Sequence, residues 1–126
     1  MAYLEESGDC LLSTTTVSFA ADADTTLYTV PTGKRCVLTM AIVIAGADAG
    51  ATTTLSIGQN GAETDFVPAC TLSNLDAQYD AVTLEPIMNV TPLKNKSYAA
   101  GTVIEAQVAS HSGGATNTVK LYGTLY

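Results

Sequence analysis

The stretch Arg35-Cys36-Val37-Leu38-Thr39-Met40-Ala41-Ile42-Val43-Ile44-Ala45 decides the fold. Read as an extended strand, one side carries Cys36, Leu38, Met40, Ile42 and Ile44, and the other Val37, Thr39, Ala41 and Val43. Both faces are apolar or nearly so, which places the strand centrally in a sheet that is covered on both sides. In a small sandwich only one of those covers is the domain's own core. The other has to come from outside.

Upstream, Val30-Pro31-Thr32-Gly33 reads as a type I turn, because proline presets φ at the second position and glycine suits the fourth. Two further strands are expected before it, Ser13 to Phe19 and Thr25 to Val30, with Ala20 to Asp24 turning between them. Downstream, Thr52 to Ile57 and Glu63 to Val67 flank Asn60-Gly61, the strongest short hairpin signal, since a type I′ turn needs positive φ at both central residues. That loop puts Ile57 opposite Thr64, Leu55 opposite Phe66 and Ser56 opposite Asp65. Pro68 marks a strand end or an edge. Tyr79 to Glu85 and Ile87 to Val90 read as strands broken at Pro86, and Asn95-Lys96-Ser97 as a turn. Thr102 to Ala109 and Thr118 to Tyr126 read as a final pair, with Val108 opposite Val119 and Ala106 opposite Leu121.

No helical period of useful length appears, and alternation appears almost everywhere. Short strands with turns at regular spacing make this an all-β chain, an antiparallel β-sandwich whose natural form is an eight-stranded jelly roll. Residues 1–12, mixed and acidic, read as a short N-terminal arm ahead of a single domain over 13–126.

Composition removes several functions. The chain has 126 residues, 12 acids against 5 bases and a net charge of −7. Its pI of about 4.2, with bases scattered as Lys34-Arg35, Lys94, Lys96 and Lys120, offers no stripe for phosphates, so no nucleic acid is expected as a partner. The apolar run from Cys36 to Ala47 is far shorter than the roughly 20 residues of a spanning helix, and no membrane partner is expected. Glu5 and Glu6 stand where a signal peptide would carry bases, so the chain is expected to start life in a reducing cytoplasm. Only 13% of residues are charged, while 19 threonines and 8 serines suit β-structure and lateral packing.

Catalytic readings find little support. Cys10, Cys36 and Cys70 are odd in number and lack a C-x-x-C spacing, and they read as free thiols in the core. His111, in Ser110-His111-Ser112-Gly113-Gly114, has no nucleophile elbow and reads as a loop residue. Glu63 and Asp65 share a strand face, but a glycosidase would set its pair across an aromatic-lined cleft, and aromatics here are only 6%. Asp22, Asp24 and Asp48 could meet at one end of a sandwich, yet they lack a loop with several oxygen ligands in series. No catalytic residue, metal ligand or cofactor is therefore assigned, and the chain is expected not to be an enzyme.

The run Thr25 to Arg35 followed by the apolar strand Cys36 to Ile44, with a closing strand pair at the end of the chain, resembles small β-sandwich virion proteins of tailed bacteriophages. The resemblance covers about residues 25–45 and 102–126 and carries over no site residue. It implies a structural role in the virion: capsid decoration (cement), head fibre, or tail part. A lone domain of this size with a short arm is most like a capsid decoration protein. Such proteins commonly form trimers over junctions of the major capsid protein on the capsid surface.

The residues point the same way. Tyr122, Tyr126 and Val103 fall on the outward side of the last strands, and leftover apolar surface marks a subunit interface. Tyr3, Leu4, Leu11, Leu12, Tyr122 and Tyr126 are the expected interface residues. The rival expectation is a tail- or head-fibre-associated module binding carbohydrate, in which Tyr28, Tyr79, Tyr98 or Tyr122 would stack on sugar. A small hydrolase using His111, Glu63 or Asp65 comes third.

Overall fold

The computed structural model describes residues 10–86 and 94–126, and their regular secondary structure is entirely β. The strands are β1 (Cys10–Ser18), β2 (Ala23–Thr29), β3 (Cys36–Ile44), β4 (Thr54–Gln59), β5 (Ala62–Thr71), β6 (Ala81–Leu84), β7 (Ser97–Tyr98), β8 (Val103–Ala109) and β9 (Thr116–Leu125). One sheet runs β1-β9-β3-β6 with β7 also on β3, and the other runs β2-β8-β4-β5. All pairings are antiparallel. Two facing four-strand rows in this order are the jelly-roll form of the sandwich, with the two-residue β7 as an addition. The expected Ile87–Val90 strand lies outside the described residues.

Alternating side chains from both sheets fill the space between them. Val17, Cys36, Leu38, Ala41, Val43, Val119 and Leu121 meet Leu27, Leu55, Ile57, Ile104, Ala106 and Val108 there, all 5% exposed or less. β3 is central as expected, but its faces differ from simple alternation. One extra residue, Thr39, sits between the partners Leu38↔Gly123 and Met40↔Tyr122. This bulge inverts the phase, so that Cys36, Leu38, Ala41 and Val43 face the core while Val37, Met40, Ile42 and Ile44 face outward. Leu12 and Leu27 are the extra residues of similar bulges in β1 and β2.

Three other expectations need correction. A turn forms at Asn60-Gly61, but not the expected type I′, since Gly61 is at φ 86° while Asn60 keeps a negative φ, and only Gln59↔Ala62 keeps the expected register. Ile57 faces Val67 and Leu55 faces Cys70, because Glu63 to Phe66 bulge away and the Asp65 carboxylate accepts the Gln59 N–H at 3.2 Å. The last two strands are not a hairpin: β8 pairs with β2 and β4, and β9 with β1 and β3. Their apolar sets do face one another, but across the core, because the 110–115 loop carries the chain from one sheet to the other. The turn before β3 closes one residue later than expected. Lys34 N–H donates to Pro31 O, which puts Gly33, at φ 78°, in the third position, as a type II turn demands.

The first strand begins at Cys10, ahead of the expected Ser13, since Cys10 and Leu11 pair with Gly123 and Tyr122. β5 continues past Pro68, which is tolerated because β5 is an edge strand.

Candidate functional site

The outer face of the β1-β9-β3-β6 sheet is the apolar surface that the two-sided β3 calls for. Met40 and Leu11 both pair with Tyr122, which places the three side by side across three strands. Ile42 and Ile44 extend the row along β3, and Lys120 and Thr118 of β9 separate them from β1. Leu11 is 44% exposed and Tyr126 55%, while Tyr122 is half-buried among its neighbours. Leu12, the bulge residue, instead packs against the core. Tyr3 and Leu4 lie outside the described residues.

Tyr126 belongs to a polar knot at one end of this sheet. Its hydroxyl and the Ser97 hydroxyl are 2.6 Å apart, and Arg35 donates to Ser97 Oγ at 2.8 Å and to Ser97 O at 3.1 Å. Next to it, Asp65 receives the Lys96 ammonium at 2.7 Å and the Tyr98 hydroxyl at 2.8 Å. Burial first, then the bond to Asp65 and its charge, pushes the Tyr98 phenol well above its ordinary range. A cavity of about 210 Å³, lined in part by Leu38, Phe66, Lys94 and Lys96, opens beside this pair.

The other end gathers the candidate catalytic groups without making a catalytic arrangement. His111 Nδ1 stands 2.6 Å from Asp22 Oδ1, and its backbone N–H donates to the same oxygen at 3.0 Å. These bonds hold the Asp22 carboxyl below its ordinary range, the backbone one most. No serine completes the pair: Ser112 Oγ accepts the Thr52 N–H at 3.0 Å. Asp48 caps its own turn at Gly50 N, 2.8 Å away, so Asp22, Asp24 and Asp48 go to three different partners. Glu63 and Asp65 also part, since Glu63 accepts from Gly61 N at 2.9 Å while Asp65 turns to Lys96 and Tyr98. Nor do the tyrosines proposed for stacking on sugar converge. Tyr98 is 3% exposed, Tyr28 packs against the core, and Tyr79 stands 79% exposed on the loop before β6.

A cluster that the sequence did not bring together lies on the outer face of the β2-β8-β4-β5 sheet. Asp24 of β2, Glu63 of β5 and Glu105 of β8 each place a carboxylate oxygen within 4.8 Å of the others. Glycine makes this possible. Gly58 lies opposite Glu105, and a Cβ there would meet Ala62 O at 2.3 Å and the Glu63 carbonyl carbon at 2.7 Å. The bare backbone lets the β5 bulge fold over β4 and carry Glu63 towards Glu105. Glu105 is 8% exposed, through close cover by its immediate neighbours rather than depth. That cover, and the charges of Asp24 and Glu63, hold its carboxyl above the ordinary range. A glycine inside a strand pattern was the available signal for the bulge.

Jelly-roll sandwiches occur in viral capsid domains, in lectins and in cupins. Among solved structures, this chain is similar to a chain of the acidic stable capsid structure of Helicobacter pylori bacteriophage KHP30. The TM-score is 0.61 and the identity 13%, over 92% of this chain and 86% of that one. It is also similar to a chain of the cyanophage Pam1 capsid asymmetric unit, with a TM-score of 0.58 and 17% identity, over 92% of this chain and 85% of that one. No family model and no curated protein matches the sequence.

Proposed function

We propose that this protein is a structural component of a bacteriophage virion, a capsid decoration (cement) protein that self-associates as a trimer and sits on the major capsid protein. The observation that carries the reading is the likeness, over more than nine-tenths of the chain, to chains from two phage capsid structures. The apolar outer face around Leu11, Met40 and Tyr122 supports it, because such a patch on a sheet marks a protein contact. A cyclic trimer uses that face in three equivalent contacts. The arm ahead of β1, with Tyr3 and Leu4, reaches a neighbour. Binding only to the assembled shell stabilises it by mass action, with no chemical step required.

Incubation of the purified protein with capsids lacking it, followed by sedimentation and a heat-release assay, tests the reading. The expected result is saturable co-sedimentation and a higher temperature of DNA release. Protein that stays in the supernatant at every ratio would overturn the capsid assignment.

A further inference from the structure

We propose that Asn60 is a modification site, deamidated through a succinimide, and that Glu63 holds this reaction off for as long as the turn between β4 and β5 keeps its folded form. In the reaction the Gly61 backbone nitrogen bonds to the side-chain amide carbon of Asn60. The bond from that carbon to its amide nitrogen breaks, and the proton given up by the Gly61 nitrogen leaves with that group as ammonia. Water then opens the five-membered ring at either carbonyl, giving aspartate or isoaspartate, and nothing is oxidised or reduced. A side chain on the following residue crowds the attacking nitrogen, and glycine has none. Asn74, Asn89, Asn95 and Asn117 are followed by Leu75, Val90, Lys96 and Thr118, and Asn60 alone by a glycine.

Asn60 and Gly61 are both exposed, and a Cβ at Gly61 would meet only open space, so neither water nor the ring is excluded. What the fold withholds is the nucleophile. The Gly61 N–H donates to Glu63 Oε1 at 2.9 Å, and a bond to a carboxylate is stronger than one to a neutral acceptor. The nitrogen has to shed that proton to attack, and the negative charge beside it opposes the loss. The Asn60 N–H donates to Val103 O at 2.9 Å and the Gln59 N–H to Asp65 Oδ1 at 3.2 Å, so the turn is pinned as well. Glu63 is kept in place by the hydrogen bond between its carboxyl and that of Glu105. Both carboxylates that hold the turn, Glu63 and Asp65, sit in the bulge of the edge strand β5. When the bulge opens, the Gly61 nitrogen is released. Reaction then sets a further carboxylate beside Glu63 and Asp65, in a chain already at −7, and isoaspartate adds a backbone carbon to a two-residue loop. The turn cannot close as before, so the modification records the opening of this edge.

The proposal is independent of the capsid reading, and its test uses the full chain at mildly alkaline pH, folded and in guanidinium chloride. Mass spectrometry of proteolytic peptides follows conversion at Asn60, and chromatography separates the aspartate and isoaspartate forms. The folded wild type is expected to convert several-fold more slowly than the same chain in denaturant. Folded Glu63→Ala converts several-fold faster than folded wild type, with Glu63→Gln between them, because its amide oxygen accepts the bond without the charge. In denaturant the three convert alike. Lys96→Ala loosens the same bulge at Asp65 without touching the Gly61 N–H, and its folded rate stays at the wild-type value. Should Glu63→Ala not fold, Glu63→Gln carries the comparison. Folded wild type that converts as fast as the denatured chain, or Glu63 variants no faster than wild type, overturn the proposal. Slower conversion in those variants does so too, by making Glu63 the base that takes the proton. Equal acceleration by Lys96→Ala and Glu63→Ala also overturns it, by tracing the protection to the bulge as a whole.

Discussion

Tyr98 donates its hydroxyl to Asp65 at 2.8 Å, and this bond joins the two sheets, since Tyr98 lies on β7 beside β3 and Asp65 on β5. The phenol is buried while the Lys96 ammonium on the same carboxylate is exposed. Hydrogen bonds to charged groups contribute about 1.5–3 kcal/mol, whereas exposed ion pairs contribute under about 1 kcal/mol. Tyr98→Phe is therefore expected to lower unfolding stability by about 2 kcal/mol, and Lys96→Ala by less than half as much. Urea denaturation measures both, and equal losses would show that the link resides in the ion pair.

Gly58, Gly61 and Gly114 give a graded test of why glycines stand where they do. At Gly58 a methyl group meets backbone atoms at 2.3 and 2.7 Å, so Gly58→Ala must push the β5 bulge away, at a cost of about 3 kcal/mol. At Gly61 there is open space but φ is 86°, and Gly61→Ala costs about 1 kcal/mol of backbone strain. Gly114 has neither constraint, and Gly114→Ala is expected to be neutral. Thermal unfolding of the three variants should give that order. A neutral Gly58→Ala would contradict the close approach of β5 to β4.

The sequence reveals faces better than partners. Ile104, Ala106 and Val108 alternate, as do Val119, Leu121 and Leu125, and all six are in the core. Alternation tells a strand which side is buried, but β8 and β9 could satisfy it side by side or face to face. The path of the 110–115 loop decides, and small polar residues do not encode a path. Bulges at Leu12, Leu27 and Thr39 were equally hidden, since no glycine or proline announces them. The position of the Asn60-Gly61 turn was legible because its positive φ at Gly61 favours glycine, though its type was not. The acidic cluster was not, because Asp24, Glu63 and Glu105 come from strands far apart in sequence, and only the sheet order juxtaposes them.

Alkaline pH should weaken the fold through two buried acids. Burial, and then the charge of Cys10, pushes the Cys36 thiol from its ordinary 9.0 up to about 11, and Tyr98 is raised as well. Both groups favour the folded state while protonated. Their contribution is complete below the unfolded values of 9.0 and 10.0 and is lost as pH rises towards and through the folded ones. Tm is expected to hold to about pH 8.5 and to fall between about pH 9 and 11. Tyr98→Phe should show a shallower fall. Alkylation at pH 8 should spare Cys36 in the folded protein, and rapid labelling there would refute its burial.

The outer face of the β1-β9-β3-β6 sheet yields the most discriminating prediction for assembly. Leu11, Met40 and Tyr122 adjoin on three neighbouring strands, and their side chains contribute nothing to the core. Charge placed there should break a contact between copies without unfolding the domain, since surface substitutions usually change stability by less than about 0.5 kcal/mol. Leu11→Lys combined with Tyr122→Lys is expected to convert an oligomer to a monomer in sedimentation velocity, with the Tm of the isolated domain nearly unchanged. The same double variant should lose capsid binding if the trimer is the binding form. A wild-type chain that already sediments as a monomer at micromolar concentration would leave this face to the shell alone. Capsid binding would then fall with the double variant while the sedimentation coefficient stayed fixed.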